Sequence, residues 1–450
     1  ADRTRGPLGT CILRSRMANP VSSLWRQYRS VALIYRIFVA FVLGSAAGIV
    51  FGEQMAVVAP LGDLFLRLLN MLVIPIIVFT LLTGIRQLSP ARLGRIGGAT
   101  VGLYAVTTTI AGIIGLAVAN VLQPGRGVEF AGGEAQSQAP PAVTEVLLGL
   151  VPNNPVAAMA DGNLLGTVFF VIVFGIALTY VRARKEEYAE SVDSVFEAFE
   201  VGAEAMFVVV RGVLEGGVVG VFALMAAGIG TEGIGVFTSL GALVLAVAVG
   251  ITLHIVFTYL FLLMGVVAGV SPIAFLAGAK DAMLTAFATR SSSGTLPVTM
   301  RNAEEDLRIE ERVYSFALPV GATANMDGAA IRQAITVMFA ANVVGQPLAL
   351  TEQAFVLLVA VLISIGTAGV PGAGIVMLTV ILTQVGLPLE VVGFVAGVDP
   401  ILGRIATMNN VTGDLAVSTV VGKWNDALDL DDGVWAHGRN RLGNVVPGGD

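Results

Sequence analysis

Long apolar runs, separated by short charged connections, set the strongest limit on how this chain can fold. A helix that crosses a bilayer needs about 20 consecutive apolar residues. Runs of that length predict six spanning helices, at residues 31–52, 57–86, 93–122, 161–181, 194–228 and 234–269. Of the 450 residues, 55% are hydrophobic and 13% are charged, and the mean hydropathy is +0.83. These values exclude an ordinary soluble domain and predict a polytopic membrane protein in a lipid bilayer.

The charged residues narrow the class further. Arginines lie at the first span, between the second and third, and after the fourth, which predicts a cytoplasmic N-terminus by the positive-inside rule. A net charge of −6 without a basic patch argues against a nucleic-acid partner. One cysteine and two histidines exclude a disulfide framework and a histidine metal site. Because residues 1–16 lack an apolar core, we expect residues 1–30 to be a leader or cytoplasmic segment and not a cleaved signal.

The regular pattern of spans changes after residue 270. Small, hydroxylated and proline residues interrupt the apolar segments in 290-RSSSGTLP-297, 321-GATANMDGAA-330 and 364-SIGTAGVPGAG-374. Irregular backbone is tolerated in a bilayer only where protein buries it or it lines a cavity, and paired broken segments are typical of a transporter's binding site. A hairpin-like segment followed by a helix occurs twice, which predicts an internal repeat of 271–301 with 312–343 and 351–387 with 389–422.

The polar ends of this region are expected in water. The charged stretch 301–312 is interpreted as a solvated cytoplasmic link, and the tail from about Lys423 is expected to leave the membrane. The chain is therefore divided into residues 1–30, the first six spans at 31–270, a transport core at 271–422 and a cytoplasmic tail at 423–450.

Two carboxylates lie inside the apolar part of this second half. Asp327 and Asp414, with Asn325 and Asn410, offer hard oxygen ligands of the kind that suit an alkali cation. Ionisable groups inside a membrane are functional by default. The alternative is that both carboxylates only pair with arginines.

Four motifs carry a resemblance to a known family. RSSSGTLP at 290–297, NMDG at 325–328, GTAGVPGAG at 366–374 and NVTGD at 410–414, in this order, resemble the dicarboxylate/amino acid:cation symporter family, the glutamate-transporter fold. The resemblance extends over nearly the whole chain from about residue 30. It implies an all-α membrane protein of the inner membrane, with eight transmembrane helices plus two re-entrant helical hairpins. It also implies a homotrimer in which a transport domain moves, elevator-like, against a fixed scaffold.

The same resemblance implies three sodium sites. The first would use Gly321, Asn325, Asn410 and Asp414. The second would use Thr323 with the backbone of Ser364, Ile365 and Thr367. The third would use Tyr104, Thr107, Thr108, Asn325 and Asp327.

The substrate side departs from the amino-acid carriers of the family. Asp399, Gly403, Ala406, Asn410 and Asp414 are spaced so that they share one helix face. In those carriers the position of Gly403 is an aspartate that holds the substrate ammonium. The position of Ala406 is an arginine in the acidic-amino-acid carriers. Both groups are absent here, whereas Asn410, expected to hold a carboxylate, remains.

Three arginines make this region more cationic. Arg332 stands where the family usually has a tyrosine, and Arg290 opens the serine-rich hairpin as in the prokaryotic members. Arg404 lies about 100° around the helix from Gly403, which favours a structural role. A guanidinium suits a carboxylate in bidentate geometry. A structural pair of Arg332 with Asp399 or Asp327 is the alternative to a substrate contact.

These features predict a sodium symporter for a small organic anion that lacks an α-amino group, best a dicarboxylate. The predicted substrate residues are Arg290, Ser292, Ser293, Ala329, Arg332, Val370, Gly374, Gly403, Ala406, Thr407 and Asn410. The runner-up is a sodium-coupled symporter of the same fold for a neutral or acidic amino acid. Additional proton coupling stays open.

Two further classes are less well supported. A dedicated channel would show rings of like charge, whereas the hairpins resemble gates. RSSSGT invites comparison with a serine hydrolase, but it lacks the G-x-S-x-G elbow, and His254 is the one histidine at membrane depth. We therefore do not expect an enzyme.

Overall fold

The structure, a computed structural model, describes residue 28 and residues 30–86, 94–127, 151–232, 235–364 and 373–436. Its first half is formed by α1 Leu33–Phe51, α2 Ala59–Arg86, α3 Arg95–Leu122, α4 Pro155–Ala160, α5 Leu164–Arg184, α6 Ala189–Glu232 and α7 Gly235–Leu253. Its second half is formed by α8 Pro272–Thr289, α9 Ser292–Arg301, α10 Glu311–Ala324, α11 Asp327–Val343, α12 Leu350–Ser364, α13 Ala373–Gln384 and α14 Val391–Trp424. Within the described residues the fold is all-helical.

The predicted spans correspond closely to helices of the first half. A 3-10 turn, Gly52–Val58, joins α1 to α2, and α7 continues as a π-helix, His254–Ala268. Helix α6 is longer than the predicted span, since it covers Ala189–Glu232 against the expected 194–228. Among the described residues, six helical segments are long and apolar enough to cross a bilayer. The full count of eight spans and two hairpins stays a prediction, because the expected tip of the second hairpin, residues 365–372, lies outside the described residues.

The first interrupted segment is a helical hairpin. Helix α8 ends at Thr289, and Arg290 then adopts a left-handed conformation with φ of 59°. Ser291 caps α9 by accepting a hydrogen bond from the backbone N–H of Gly294. The helices α8 and α9 pack against each other. The serine-rich motif is therefore mostly the start of a helix, and the break is confined to two residues.

The second interruption separates α10 from α11. Helix α10 continues through Gly321 to Ala324, so the predicted break is limited to Asn325 and Met326. Asn325 is extended, and Met326 is also outside the helical conformation. The C-terminal end of one helix and the N-terminal end of the next therefore meet at the NMDG motif, which places both helix termini beside the polar side chains of the motif.

Helix α14 is the central element of the second half. It packs against α8, α10, α11 and the π-helix, and it also contacts α1 and α6 of the first half. The contact with α1 is close, because a Cβ at Gly397 would lie 1.8 Å from the Phe41 ring. Small residues allow such approaches between membrane helices. The polar face of α14 is thereby enclosed by other helices.

The charged link 301–312 and the described part of the tail pack on each other. Trp435 is 4% exposed and donates a hydrogen bond from Nε1 to the carbonyl of Leu307 at 2.8 Å. The backbone N–H of Glu310 donates to the carbonyl of Ala427. The tail up to residue 436 therefore packs under the first hairpin, because apolar side chains in both segments need a common core. Most residues from Lys423 to Val434 are exposed or half-buried, and the expectation that the tail leaves the membrane at about Lys423 stays a prediction.

Candidate functional site

Two arginines and one aspartate meet where the first hairpin, α11 and α14 come together. Arg332 donates from Nη1 to Oδ1 of Asp399 at 2.8 Å, and Arg290 donates from Nη2 to Oδ2 at 2.6 Å. Arg332 and Asp399 are 5% and 4% exposed. We call Arg290, Arg332 and Asp399 the arginine cluster. Its formal charge is +1, since one carboxylate faces two guanidinium groups.

The arginine cluster retains unused hydrogen-bond donors. A guanidinium has five N–H donors, and Asp399 engages a single nitrogen of each arginine. Nε of Arg290 is buried and has no hydrogen-bond partner among the residues that the structure describes. Asp399 therefore holds the two arginines in place without saturating them, and an additional anion has donors to bind.

Two glycines provide the space that the arginines occupy. A Cβ at Gly374, in the first turn of α13, would lie 1.8 Å from Nη2 of Arg332. A Cβ at Gly403 would lie 2.8 Å from Nη2 of Arg290. Any side chain at either position would displace a guanidinium. In this chain the guanidinium of Arg290 lies where a side chain at position 403 would begin.

Arg404 has a different environment. Its Nη1 donates to the carbonyls of Phe287 and Ala288 at 2.8 and 2.9 Å, and its guanidinium lies over the Phe287 ring. These carbonyls belong to the last turn of α8, whose acceptors have no partner within the helix. The structural role that the sequence favours for Arg404 agrees with these contacts.

A cavity of about 650 Å³ lies beside the arginine cluster. It separates α1 and α6 from the tip of the first hairpin, and its polar lining includes Arg211, Arg290, Asp399 and Arg404. The cavity is large enough for a small organic anion and gives it a path to the cluster.

A second polar group, the acidic cluster, consists of Tyr104, Thr108, Asn325, Asp327 and Asp414. Asn325 donates from Nδ2 to Oδ1 of Asp414 at 2.8 Å. A Cβ at Gly321 would lie 2.4 Å from that oxygen and 2.6 Å from the Tyr104 hydroxyl, so only glycine fits there. Oδ1 of Asn325 is buried and finds no hydrogen-bond partner within the described ranges. An amide oxygen left without a donor fits a cation among these ligands.

Asp327 accepts hydrogen bonds at both of its oxygens. The Thr108 hydroxyl donates to Oδ1 at 2.5 Å, and the Tyr259 hydroxyl donates to Oδ2 at 2.7 Å. Within the described residues neither Asp327 nor Asp414 has a cationic partner within ion-pair distance. The alternative that these carboxylates merely pair with arginines is therefore not supported by the geometry.

Other predicted residues are placed around these clusters. Asn410 accepts from the backbone N–H of Gly328 at 2.7 Å and links α14 to α11. Ala406 is buried against Gly328, and Thr407 donates to the carbonyl of Gly403. Tyr104 donates to the carbonyl of Ala317, and Thr107 to that of Tyr104.

Some predicted residues are less well connected. Thr323 is half-buried and donates to the carbonyl of Val320 in its own helix. Ser292 is buried, Ala329 is half-buried, and Ser293 is exposed. Ser364 ends α12, whereas Ile365, Thr367 and Val370 lie outside the described residues. The second predicted sodium site is therefore only partly described.

Sequence reasoning missed several polar residues. Tyr259 lies in the π-helix and reaches Asp327 from a segment 68 residues away, which no local pattern indicates. Asn409 donates to the Tyr259 hydroxyl, and the His254 ring packs on the Tyr259 ring. Gln333 shares the α11 face of Ala329, since four residues separate them, and this spacing could have identified it.

The long apolar helices, the interrupted helices and the enclosed polar clusters define a multi-pass transporter of the inner membrane. The profile of the sodium:dicarboxylate symporter family matches residues 33–424. The chain belongs to this family, whose members are transporters and not enzymes.

Relatives with different named substrates are similarly close. The chain is 35% identical over 408 residues to a proton/sodium-glutamate symport protein of Bacillus subtilis, covering 87% of this chain and 92% of the relative. It is 34% identical over 387 residues to a proton/glutamate-aspartate symporter of Escherichia coli, covering 82% and 86%. It is 30% identical over 413 residues to a C4-dicarboxylate transport protein of Rhodospirillum rubrum, covering 89% and 90%. The substrate of this chain must therefore be argued from its own residues.

Proposed function

We propose that this protein is a sodium-coupled symporter for a small organic anion without an α-amino group, best a dicarboxylate. The observation that carries the proposal is the arginine cluster, in which Arg290 and Arg332 share Asp399 and keep unused donors. A buried region with an excess positive charge favours an anion, because a buried unpaired charge is costly.

The same cluster disfavours a substrate ammonium. The position that holds the ammonium in related amino-acid carriers is Gly403, and here a guanidinium nitrogen of Arg290 lies 2.8 Å from where its Cβ would be. An ammonium at this place would meet a like charge at short range. An amine-free anion avoids this repulsion and can use both guanidinium groups.

The acidic cluster supports sodium as the coupled ion. Asp327 and Asp414 are fully buried and are surrounded by hydroxyl and amide groups. Two ionised carboxylates in such a place need a mobile cation to offset their charge, and oxygen ligands suit an alkali ion. The C-terminal end of α10 adds partial negative charge. Assembly as a homotrimer and elevator-type movement of residues 271–422 complete the proposal by analogy with the fold.

The alternative is an amino-acid symporter of the same fold. It is favoured by the identity to the glutamate symport protein of Bacillus subtilis, which is 35%. In that case backbone carbonyls would have to bind the substrate ammonium, since Gly403 offers no carboxylate.

The decisive measurement is a thermal-shift titration of the purified protein with succinate, malate, aspartate and serine, each with and without sodium. A ligand that binds the folded state raises the melting temperature. We expect stabilisation by a dicarboxylate that requires sodium. Stabilisation by aspartate or serine alone would establish the amino-acid alternative, and sodium-independent uptake in proteoliposomes would refute the coupling.

The variant Arg332→Met tests the arginine cluster. We expect the dicarboxylate affinity to fall at least about tenfold, because a charge-assisted hydrogen bond contributes about 1.5–3 kcal/mol. Arg301→Met is the matched control, since Arg301 pairs with Asp281 at an exposed position. Unchanged transport kinetics in Arg332→Met would show that Arg332 does not contact the substrate.

A further inference from the structure

Gln333 carries a buried hydrogen-bond acceptor that none of the described residues satisfies. The residue is fully buried on α11, directly after Arg332. Its Nε2 donates to the carbonyl of Gly374 at 2.8 Å, whereas its Oε1 has no partner in the described part of the chain. The orientation of the amide is fixed, because the carbonyl of Gly374 can only accept.

This carboxamide lies beside the arginine cluster. Gln333 and Arg332 both contact Gly374. Gln333 donates to its carbonyl, and the Arg332 guanidinium occupies the space where a side chain at position 374 would lie. The next residue of α13, Ile375, lines the cavity that also reaches Arg290 and Asp399. Gln333 and Arg332 therefore flank the same point at the start of α13.

A buried acceptor without a donor is unfavourable. Leaving such a group unpaired costs about 1–3 kcal/mol, and most buried polar groups in proteins are paired. The first hairpin adds the buried hydroxyl of Ser292, which likewise has no partner in the part of the chain that the structure describes. Unpaired groups that accompany a cationic cluster are most simply explained by a ligand that supplies the missing partner.

The charge of the neighbourhood selects the type of donor. A ligand that pairs with Oε1 would have to offer an N–H or O–H group, since an amide oxygen can only accept. An ammonium would lie next to Arg332, in a cluster that already carries an excess positive charge, so Coulomb repulsion opposes it. A hydroxyl supplies the donor without a charge.

We propose that Gln333 is a specificity-determining residue that accepts a hydrogen bond from a substrate hydroxyl, so that the preferred substrates are hydroxylated dicarboxylates. This inference rests on the proposed function and deepens it. The carboxylates bind the unused donors of the arginine cluster, and the hydroxyl on the carbon chain donates to Oε1 of Gln333. A dicarboxylate without the hydroxyl leaves Oε1 unpaired and binds more weakly.

Three four-carbon acids that differ at one carbon provide the test. Succinate, malate and aspartate carry a hydrogen, a hydroxyl or an ammonium there, and their affinities are measured on the purified full-length protein in sodium buffer. We expect one malate enantiomer to bind about tenfold more tightly than succinate, as one satisfied buried acceptor predicts. Aspartate should bind more weakly than either. Equal affinities of malate and succinate would overturn the inference and leave the proposed function intact.

Variants then assign the preference to one atom. Gln333→Met has a similar volume and lacks both the acceptor and the Nε2 donor to Gly374, so the ratio of malate to succinate affinity should fall to about one, whatever the change in absolute affinity. Gln353→Met is the control, because Gln353 is a buried glutamine whose amide pairs with Asn120 on α3. A ratio that Gln333→Met leaves unchanged would contradict the assignment.

A ligand variant avoids any dependence on folding of the mutant. Methoxysuccinate keeps the oxygen of malate but lacks the O–H donor. On the unmodified protein we expect it to bind no better than succinate. Binding as tight as malate would overturn the inference. Binding of aspartate alone, with neither succinate nor malate, would instead refute the proposed function.

Discussion

Asp399 and Asp414 lie on the same helix and have opposite surroundings. Asp399 contacts two arginines, and Asp414 contacts the amide of Asn325 beside a tyrosine hydroxyl. The charge of Asp399 is thus offset by the protein, whereas Asp414 has no cationic side chain within ion-pair distance among the described residues and is proposed to bind sodium. One helix therefore presents an anion-attracting region at one level and a cation-attracting region at another. This separation is what a symporter for an anion and sodium requires.

Removing a carboxylate from the acidic cluster should have the largest effect. Asp327→Asn keeps the shape of the side chain but removes its negative charge. The carboxylate accepts hydrogen bonds from the hydroxyls of Thr108 and Tyr259 and would bind the proposed sodium. We expect sodium affinity to fall about 10- to 100-fold, since hydrogen bonds to charged groups contribute about 1.5–3 kcal/mol, and sodium-driven uptake to fall to background. Sodium titration by thermal shift measures the first effect. The exposed pair partner Asp281, changed to Asn, is the control, and wild-type sodium affinity in Asp327→Asn would refute the role of the cluster.

Adding a carboxylate to the arginine cluster should reduce the difference in charge between the arginine cluster and the acidic cluster. Gly403→Asp places a carboxylate beside Arg290 and changes the formal charge of the cluster from +1 to 0. We expect dicarboxylate affinity to fall about tenfold, because the new carboxylate competes with a ligand carboxylate for the arginines. We expect aspartate binding to increase, because the new carboxylate can pair with the ammonium of aspartate. Competition of labelled dicarboxylate uptake by aspartate measures both. Gly403→Asn has a similar size without charge, and the same change in that variant would indicate a purely steric effect.

A moderate effect on sodium affinity is expected from removing the Tyr259 hydroxyl, which the sequence did not indicate. Tyr259→Phe removes the donor to Oδ2 of Asp327, so that the carboxylate is less well oriented. We expect sodium affinity to fall about three- to tenfold, corresponding to about 1 kcal/mol, with dicarboxylate affinity at saturating sodium unchanged. Tyr180→Phe is a control at an exposed position, 57% exposed. A loss of dicarboxylate affinity with unchanged sodium affinity would contradict the assignment of Tyr259 to the acidic cluster.

The smallest effect on substrate is expected at Arg404. Arg404→Gln removes hydrogen bonds to the last carbonyls of α8 and leaves the arginine cluster in place. We expect the dicarboxylate affinity to change less than about twofold and the melting temperature to decrease, because neutral carbonyls lose their donors. Measuring Arg404→Gln beside Arg332→Met separates the two arginines. A tenfold loss of affinity in Arg404→Gln would place it in the substrate site.

Much of the fold could be predicted from the sequence. The apolar runs located α1, α2, α3 and α5 to within about three residues, since lipid requires continuous helices of a minimum length. The breaks at Arg290 and Asn325 were also indicated by their motifs. The length of α6 and the packing of the tail were not, because amphipathic helix extensions and a docked tail depend on partners elsewhere in the chain.

The candidate site was predicted only in part. The composition of the acidic cluster follows the family motifs, and its residues do lie together. The sequence left open whether Arg332 pairs with Asp399, and it gave no signal for Tyr259, whose contact with Asp327 is made across helices. Gly403 was identified as lacking the side chain of related carriers and Gly374 only as a predicted substrate residue, and the role of both in accommodating Arg290 and Arg332 required coordinates.

The sequence by itself determined a helical membrane protein with polar groups at helix breaks, because hydrophobic length and backbone satisfaction are local properties. The tertiary structure decided which carboxylate meets arginine and which meets hydroxyls. Arg290 and Arg332 reach Asp399 from positions 109 and 67 residues away. The electrostatic interactions that distinguish an anion site from a cation site act through space, so the chain order cannot specify them.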